Sequence, residues 1–346
     1  MSLFRFLIRR IKRSRVHRRR PLLQPSSRRP AVESLEGRCV PSTLTELSPL
    51  PTANAAPTGI TTASDGSIWF TERGANKIGR LSAQGVLTNE YAIPTPASAP
   101  EQITASPDGY VWFTEHNASK IGRVTLATGA IAEFKLPGAA SAEFATAITT
   151  TAAGTVWFAS NEQPGTARVG KISSAGTITE LATAATRTYI TGIVGGPDGN
   201  LWVTQVSSYW GDSVAKVTTA GWGSFTNYRL PASSSPQGIC VGGDNNLWFT
   251  ESNTGQIGRI TTTGLLVHFA LPAGSAPQQI TRGSDGSLWF TEKGTNMIAH
   301  MTTAGQLVAE LAVPTVGSQP FGITKGLDGT LWFTEQSGNR LGKVVP

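Results

Sequence analysis

Glu101, Glu115 and His116 bring two carboxylates and an imidazole into one short stretch of a 346-residue chain. Such a set can move protons, because a positioned His and carboxyl serve as general base and acid. Carboxylate oxygens can also hold a hard divalent ion, magnesium or calcium. The carboxylates are not peculiar to this stretch, however. Glu72, Glu115, Glu251, Glu292 and Glu335 each end a Trp-Phe-Thr-Glu phrase, and a carboxylate that recurs in this way is equally explained as a structural group bonded to its adjacent loop. His116 follows its phrase and has solvent as its alternative environment. Of the other histidines past the N-terminal tail, His268 belongs to an outer strand and His300 replaces an Arg of the repeat. Tyr209 and Trp210, on a longer loop, have either a stacked ligand or a neighbouring loop to cover.

What must position these residues is a repeat. Trp69, Trp112, Trp157, Trp202, Trp248, Trp289 and Trp332 occupy one place in it, at intervals of 43, 45, 45, 46, 41 and 43 residues. Each unit reads as four short strands. An apolar first strand turns at Asp-Gly, predicting a two-residue hairpin turn, into the Trp-Phe-Thr-Glu strand. A polar loop then leads to a third strand, and a Gly-containing turn to a fourth that ends in Pro. Four antiparallel strands in about 40–45 residues mark a propeller blade. The fold class is therefore all-β, a seven-bladed β-propeller of four-stranded antiparallel blades spanning residues 44–346. Thr43–Pro51 looks like the end of a repeat, and the seventh repeat stops at Pro346 before its fourth strand. The N-terminal strand is thus expected to close the ring, leaving no unpaired edge. Trp alternates with Thr, and Phe with Glu, which predicts large side chains packed against both neighbouring blades.

The net charge of +7 belongs to the tail. Residues 1–43 hold 12 of the 29 Lys and Arg against two acids, Glu33 and Glu36, leaving 17 basic and 20 acidic side chains for the repeats. A propeller of net charge −3 gives no reason to expect nucleic acid as a partner. No apolar run is long enough to span a membrane. Two cysteines, Cys39 and Cys240, are too few for a disulfide framework, and Cys240 replaces the Thr or Val of other repeats as a small core residue. The basic tail lacks the apolar segment of a standard signal peptide and reads as a solvated arm. Its Val32–Ser42 segment resembles the Leu-Glu-x-Arg-type extension of many large surface or exported bacterial proteins, with Gly37 where that pattern often has Pro. The resemblance implies an extracytoplasmic location, secreted or at the cell surface.

Because the first two strands of a blade are joined tightly, the start of one lies beside the end of the other. The first-strand positions Thr58, Glu101, Thr146, Thr191, Gln237, Gln278 and Phe321 and the second-strand positions Glu72, Glu115, Ser160, Gln205, Glu251, Glu292 and Glu335 should therefore gather at one mouth of the central channel.

The phrases Pro-x-Gly-Ile-Thr, Asp-Gly-x-Leu-Trp-Phe-Thr-Glu and Asn-x-Ile-Gly-Arg-Ile/Leu-Thr resemble streptogramin B lyase, also called virginiamycin B lyase, over residues 44–346. That resemblance implies a monomeric seven-bladed propeller and a magnesium-dependent elimination that opens a cyclic depsipeptide antibiotic at its ester. It also implies the site. The family's His of blade six corresponds to Gln278, its His of blade seven to Phe321, and its Glu two places earlier to Gln319, while its second-strand Glu is kept as Glu335. An amide takes no proton at neutral pH and Phe has no polar group. Three readings follow. The first is an extracytoplasmic propeller that binds a small molecule, a cell-envelope component or a cation (Mg2+ or Ca2+) at a degenerate lyase site. The second is a true carbon–oxygen lyase acting through a rearranged site at Glu101, Glu115 and His116. The third is a purely structural or protein-interaction propeller.

Overall fold

The computed structural model describes residues 42–138, 143–162, 165–221 and 223–346. Cys39 and nearly all of the proposed extension, 1–43, lie outside them. The rest forms seven four-stranded antiparallel sheets. Six are built from consecutive strands, as expected of hairpin-connected blades. The seventh joins Thr43–Glu46 to the edge of Arg340–Val345, with Thr43 opposite Val345 and Glu46 opposite Gly342. The N-terminal strand therefore closes the ring. Past Glu46 the chain keeps bonding the same blade, through Leu47 N–H to Leu341 O and Leu50 N–H to Asn339 O.

The alternation in Trp-Phe-Thr-Glu explains how blades adhere. Trp69 packs with Ile103, Val111 and Phe113 of the next blade, whereas Phe70 packs with Trp332 of the preceding one. Six of the seven repeat tryptophans are at most 2 % exposed, so they are core rather than ligand surface. Each Phe also lies over the third strand, where only glycine fits in most blades: a Cβ on Gly79 would come within 2.1 Å of the Phe70 ring. Cys240 packs beside the cluster containing Trp248 and Ile280, and burial pushes its thiol up to about 12, far from a reactive thiolate.

The Asp-Gly turn is one residue longer than predicted. Ala63 N–H bonds Ser67 O and Gly66 N–H bonds Ala63 O, which makes a three-residue loop with only Gly66 at positive φ (80°). Asp65 caps it by accepting from Ser67 N–H at 2.9 Å. Ser67 in turn receives the Trp69 indole N–H at 2.8 Å. This chemistry occupies one end of the blade and leaves the other end to the candidate site.

Candidate functional site

The threonine of each phrase fixes the site's backbone. Thr71 Oγ1 accepts from Gly59 N–H at 2.8 Å and donates to Glu101 O of the next blade at 2.9 Å. Thr250 likewise donates to Gln278 O at 2.6 Å, Thr291 to Phe321 O at 2.7 Å and, across the ring closure, Thr334 to Thr58 O at 2.8 Å. A side-chain hydroxyl thus replaces a ladder partner, and the register slips by one residue. Pro57 lies opposite Glu72 but Ile60 opposite Phe70, a β-bulge at the mouth. The innermost strands approach closely here. A Cβ on Gly322 would sit 2.3 Å from Thr58 O.

The repeat glutamates do not form an acidic mouth. Glu72, Glu115, Glu251, Glu292 and Glu335 all have no solvent exposure, and their neighbours show that they face into the blades. Glu72 lies by Glu90 and Lys77, Glu115 by Glu133 and Lys120, Glu292 by Glu310, and Glu335 by Glu46 and Arg340. Burial, reinforced by the second carboxylate, pushes Glu72 and Glu115 up to about 8 and Glu292 and Glu335 to about 7. Glu72, Glu115 and Glu335 each lie within hydrogen-bonding reach of the second carboxylate, to which a protonated carboxyl can donate. In blades one and two the outer carboxylate carries the charge. Despite burial, Glu90 stays below its ordinary value because Thr52 Oγ1 donates to it at 2.7 Å and Lys77 Nζ at 3.1 Å. In blade five the partner is His268, whose Nδ1 is 2.6 Å from Glu251 Oε1. The fourth-strand groups Glu46, Glu90, Glu133, His268 and Glu310 were the partners that sequence reasoning missed. Their signal was a second acid recurring at a fixed place in the fourth strand.

The triad anticipated in blade two is divided. His116, on a 3₁₀ turn over His116–Ala118, places Nδ1 3.1 Å from Glu101 Oε2, within ion-pair range though out of line for a hydrogen bond. Both side chains are a quarter exposed, and the imidazole stacks on Phe144 of blade three with ring centroids 5.0 Å apart. Glu115 instead keeps to Glu133 and Lys120 inside the blade.

At the positions implied by the family resemblance, Gln278 is 9 % exposed, and its Nε2 donates to Ser252 Oγ at 2.8 Å and Ala276 O at 3.1 Å. Phe321 is half-buried. Gln319 has a left-handed backbone (φ 56°) secured by Asn296 Oδ1. A magnesium ion does not fit this donor set. The one carboxyl, Glu335, is pushed toward neutrality and adjoins the Arg340 guanidinium, and the position that the resemblance gives to a second Glu holds the amide Gln319. Among the described residues no three His, Cys, Asp or Glu converge as metal ligands.

Tyr209 and Trp210 form an edge-to-face pair 4.8 Å apart and are 65 % and 47 % exposed. Trp210 Nε1 donates to Thr186 O at 3.1 Å, tying the loop to the preceding blade. Beneath it lies a cleft of about 210 Å³ lined by Gln205, Ser213, Asn227 and Arg229. Of these, sequence reasoning had placed only Gln205 at the mouth.

Among the described residues no helix is long and apolar enough to cross a membrane. Comparison with curated proteins gave no match. Solved structures did. A streptogramin B lyase is 34 % identical, with 88 % of this chain and 97 % of that one covered and a TM-score of 0.78. Virginiamycin B lyase from Staphylococcus aureus is 35 % identical over 88 % and 99 % of the two chains, TM-score 0.77. A catalytically inactive His-to-Ala variant of that enzyme, with quinupristin, gives 35 % identity over the same shares and a TM-score of 0.78. The model of the virginiamycin B lyase family matches residues 34–222 and 145–346. On this family match and these identities, the chain belongs to the virginiamycin B lyase family.

Proposed function

We propose that this chain is a ligand-binding member of the family that does not catalyse the elimination. One observation carries the reading: the two positions where a base would face the mouth hold Gln278, its amide already bonded to Ser252 and Ala276, and Phe321. A single His-to-Ala change leaves the S. aureus enzyme catalytically inactive. In this chain the only histidine in blades six and seven is His300, whose ring stacks on Trp289 at 4.2 Å. Gln and Phe can still provide hydrogen bonds and an apolar wall, so loss of proton transfer does not remove the capacity to bind. The ligand enters at the channel mouth, lined by Phe321, Gln278 and the Glu101–His116 pair. The resemblance of Val32–Ser42 to an exported-protein extension supports an extracytoplasmic setting, and cell fractionation tests it. The triple change Gln278→His, Gln319→Glu, Phe321→His tests the inherited pocket. A gain of streptogramin B linearisation supports it, and an inert but folded variant that fails to bind the substrate contradicts it.

A second reading, lyase action through blade two, is favoured by the 3.1 Å contact of Glu101 with His116, which pairs a carboxylate with an imidazole of the kind that serves as a general base. Turnover by the wild type that disappears in His116→Ala would select it.

A further inference from the structure

Blade four breaks the pattern of charged groups that fills the other blades. Where blade one has Glu72, Lys77 and Glu90, the matching register positions of blade four hold Gln205, Ser213 and Asn227. The replacements are neutral and, at the third strand, much smaller. The space they release is the cleft of about 210 Å³. Its chemistry is that of a donor site. Gln205 is 2 % exposed. Its Oε1 accepts from Ser213 Oγ at 3.0 Å, while its Nε2 has no partner, and a buried amide N–H left unpaired is costly until something accepts from it. Arg229, opposite Ser213 on the fourth strand, is exposed at the rim and enters no ion pair among the described residues. Asp212, next to Ser213 in the chain, is occupied by Ser207 N–H at 3.2 Å and Ser235 N–H at 2.7 Å. One wall is the indole of Trp210, held in place through Thr186 O.

We infer that this cleft is a binding site for a small organic carboxylate with a flat apolar body. Gln205 Nε2 and the Arg229 guanidinium receive the carboxylate oxygens, a geometry for which a planar guanidinium is suited, and Trp210 covers the body. The cleft volume sets the scale at a single ring or short chain rather than a macrocycle. The site is built from blade four with Ala185 of blade three at its edge and does not rest on the reading of the channel mouth.

The test uses phenylacetate and its uncharged isostere phenylacetamide, titrated into the full chain and followed by amide and indole N–H resonances. Saturable shifts of the Gln205 side-chain amide and the Trp210 indole with phenylacetate, at least tenfold weaker with phenylacetamide, are expected. Arg229→Gln and Gln205→Met should each weaken phenylacetate at least tenfold. Gln205→Met keeps the side-chain length without the amide donor, and Arg229 is at the surface, so a cooperative melting transition and unchanged resonances elsewhere in the ring verify that both variants fold. No saturable shift with phenylacetate, equal affinity for acid and amide, or undiminished binding by the two variants overturns the inference.

Discussion

Replacing Glu292 by Gln should make the protein more stable in alkaline solution and leave it nearly unchanged in acid. Blade six is the place to look because Met297 lies opposite Glu292, where Lys77, Lys120 and Arg340 stand in blades one, two and seven. Two carboxyls, Glu292 and Glu310, therefore share a site in which, among the described residues, no cation faces Glu292. Burial pushes Glu292 from 4.5 to about 7, Thr295 opposing and Glu310 reinforcing. The folded state holds this proton more tightly than the unfolded chain, so the group's contribution is complete below about pH 4.5. It declines as pH rises and is gone above about 7. At 1.36 kcal/mol per pKa unit the ceiling is roughly 3 kcal/mol. Water entry and local relaxation reduce the expected value to about 1–2 kcal/mol. Gln keeps an oxygen for the Thr295 hydroxyl, which now donates to Glu292 Oε2 at 2.7 Å, and does not titrate. Denaturant unfolding of both proteins from pH 5 to 8.5 measures the difference. The variant should match wild type within about 1 kcal/mol at pH 5 and exceed it by about 1–2 kcal/mol at pH 8.5. A parallel pH profile, or a variant less stable at pH 8.5, would refute the buried-acid account.

Ring closure makes a second prediction: removing residues 1–51 strips Thr43–Glu46 from Arg340–Val345 and should cause aggregation or a large fall in melting temperature, while removing 1–42 should be nearly neutral. Equal melting temperatures would contradict closure. Thr334→Val keeps the volume but deletes the hydroxyl that links Gly322 N–H to Thr58 O; a buried loss of about 1–3 kcal/mol is expected in denaturant unfolding, and no change would mean the rivet is dispensable. Calorimetric titration of magnesium should give no saturable heat at Glu335, so the Glu335→Gln trace should overlay the wild type, and a wild-type signal lost in that variant would restore the family metal site.

The fold was legible because its determinants recur: seven tryptophans at near-constant spacing fixed the number of blades, and a fourth strand missing at one end was present at the other. The Asp-Gly turn was misjudged by one residue because both a two-residue and a three-residue hairpin loop use Gly at positive φ, and only Gly66 needed it here. The site was less legible. Glu115 and Glu101 look equivalent in the chain, yet strand alternation sends one carboxyl into the blade beside Glu133 and leaves the other against His116. The pairing of Glu72 with Glu90 spans three strands, with Lys77 opposite Glu72 and Gly79 opposite Glu90, a relation that adjacent residues do not display. The blade-four cleft is a matter of volume released by Ser213, which no local motif encodes.

The most direct measurement is the linearisation of a streptogramin B antibiotic by the purified chain, with the S. aureus enzyme alongside under the same magnesium concentration. General base catalysis contributes roughly 10²–10⁴ in rate, so with Gln278 and Phe321 in place the product should remain at least 100-fold below the control. Turnover comparable with the S. aureus enzyme would contradict the central claim.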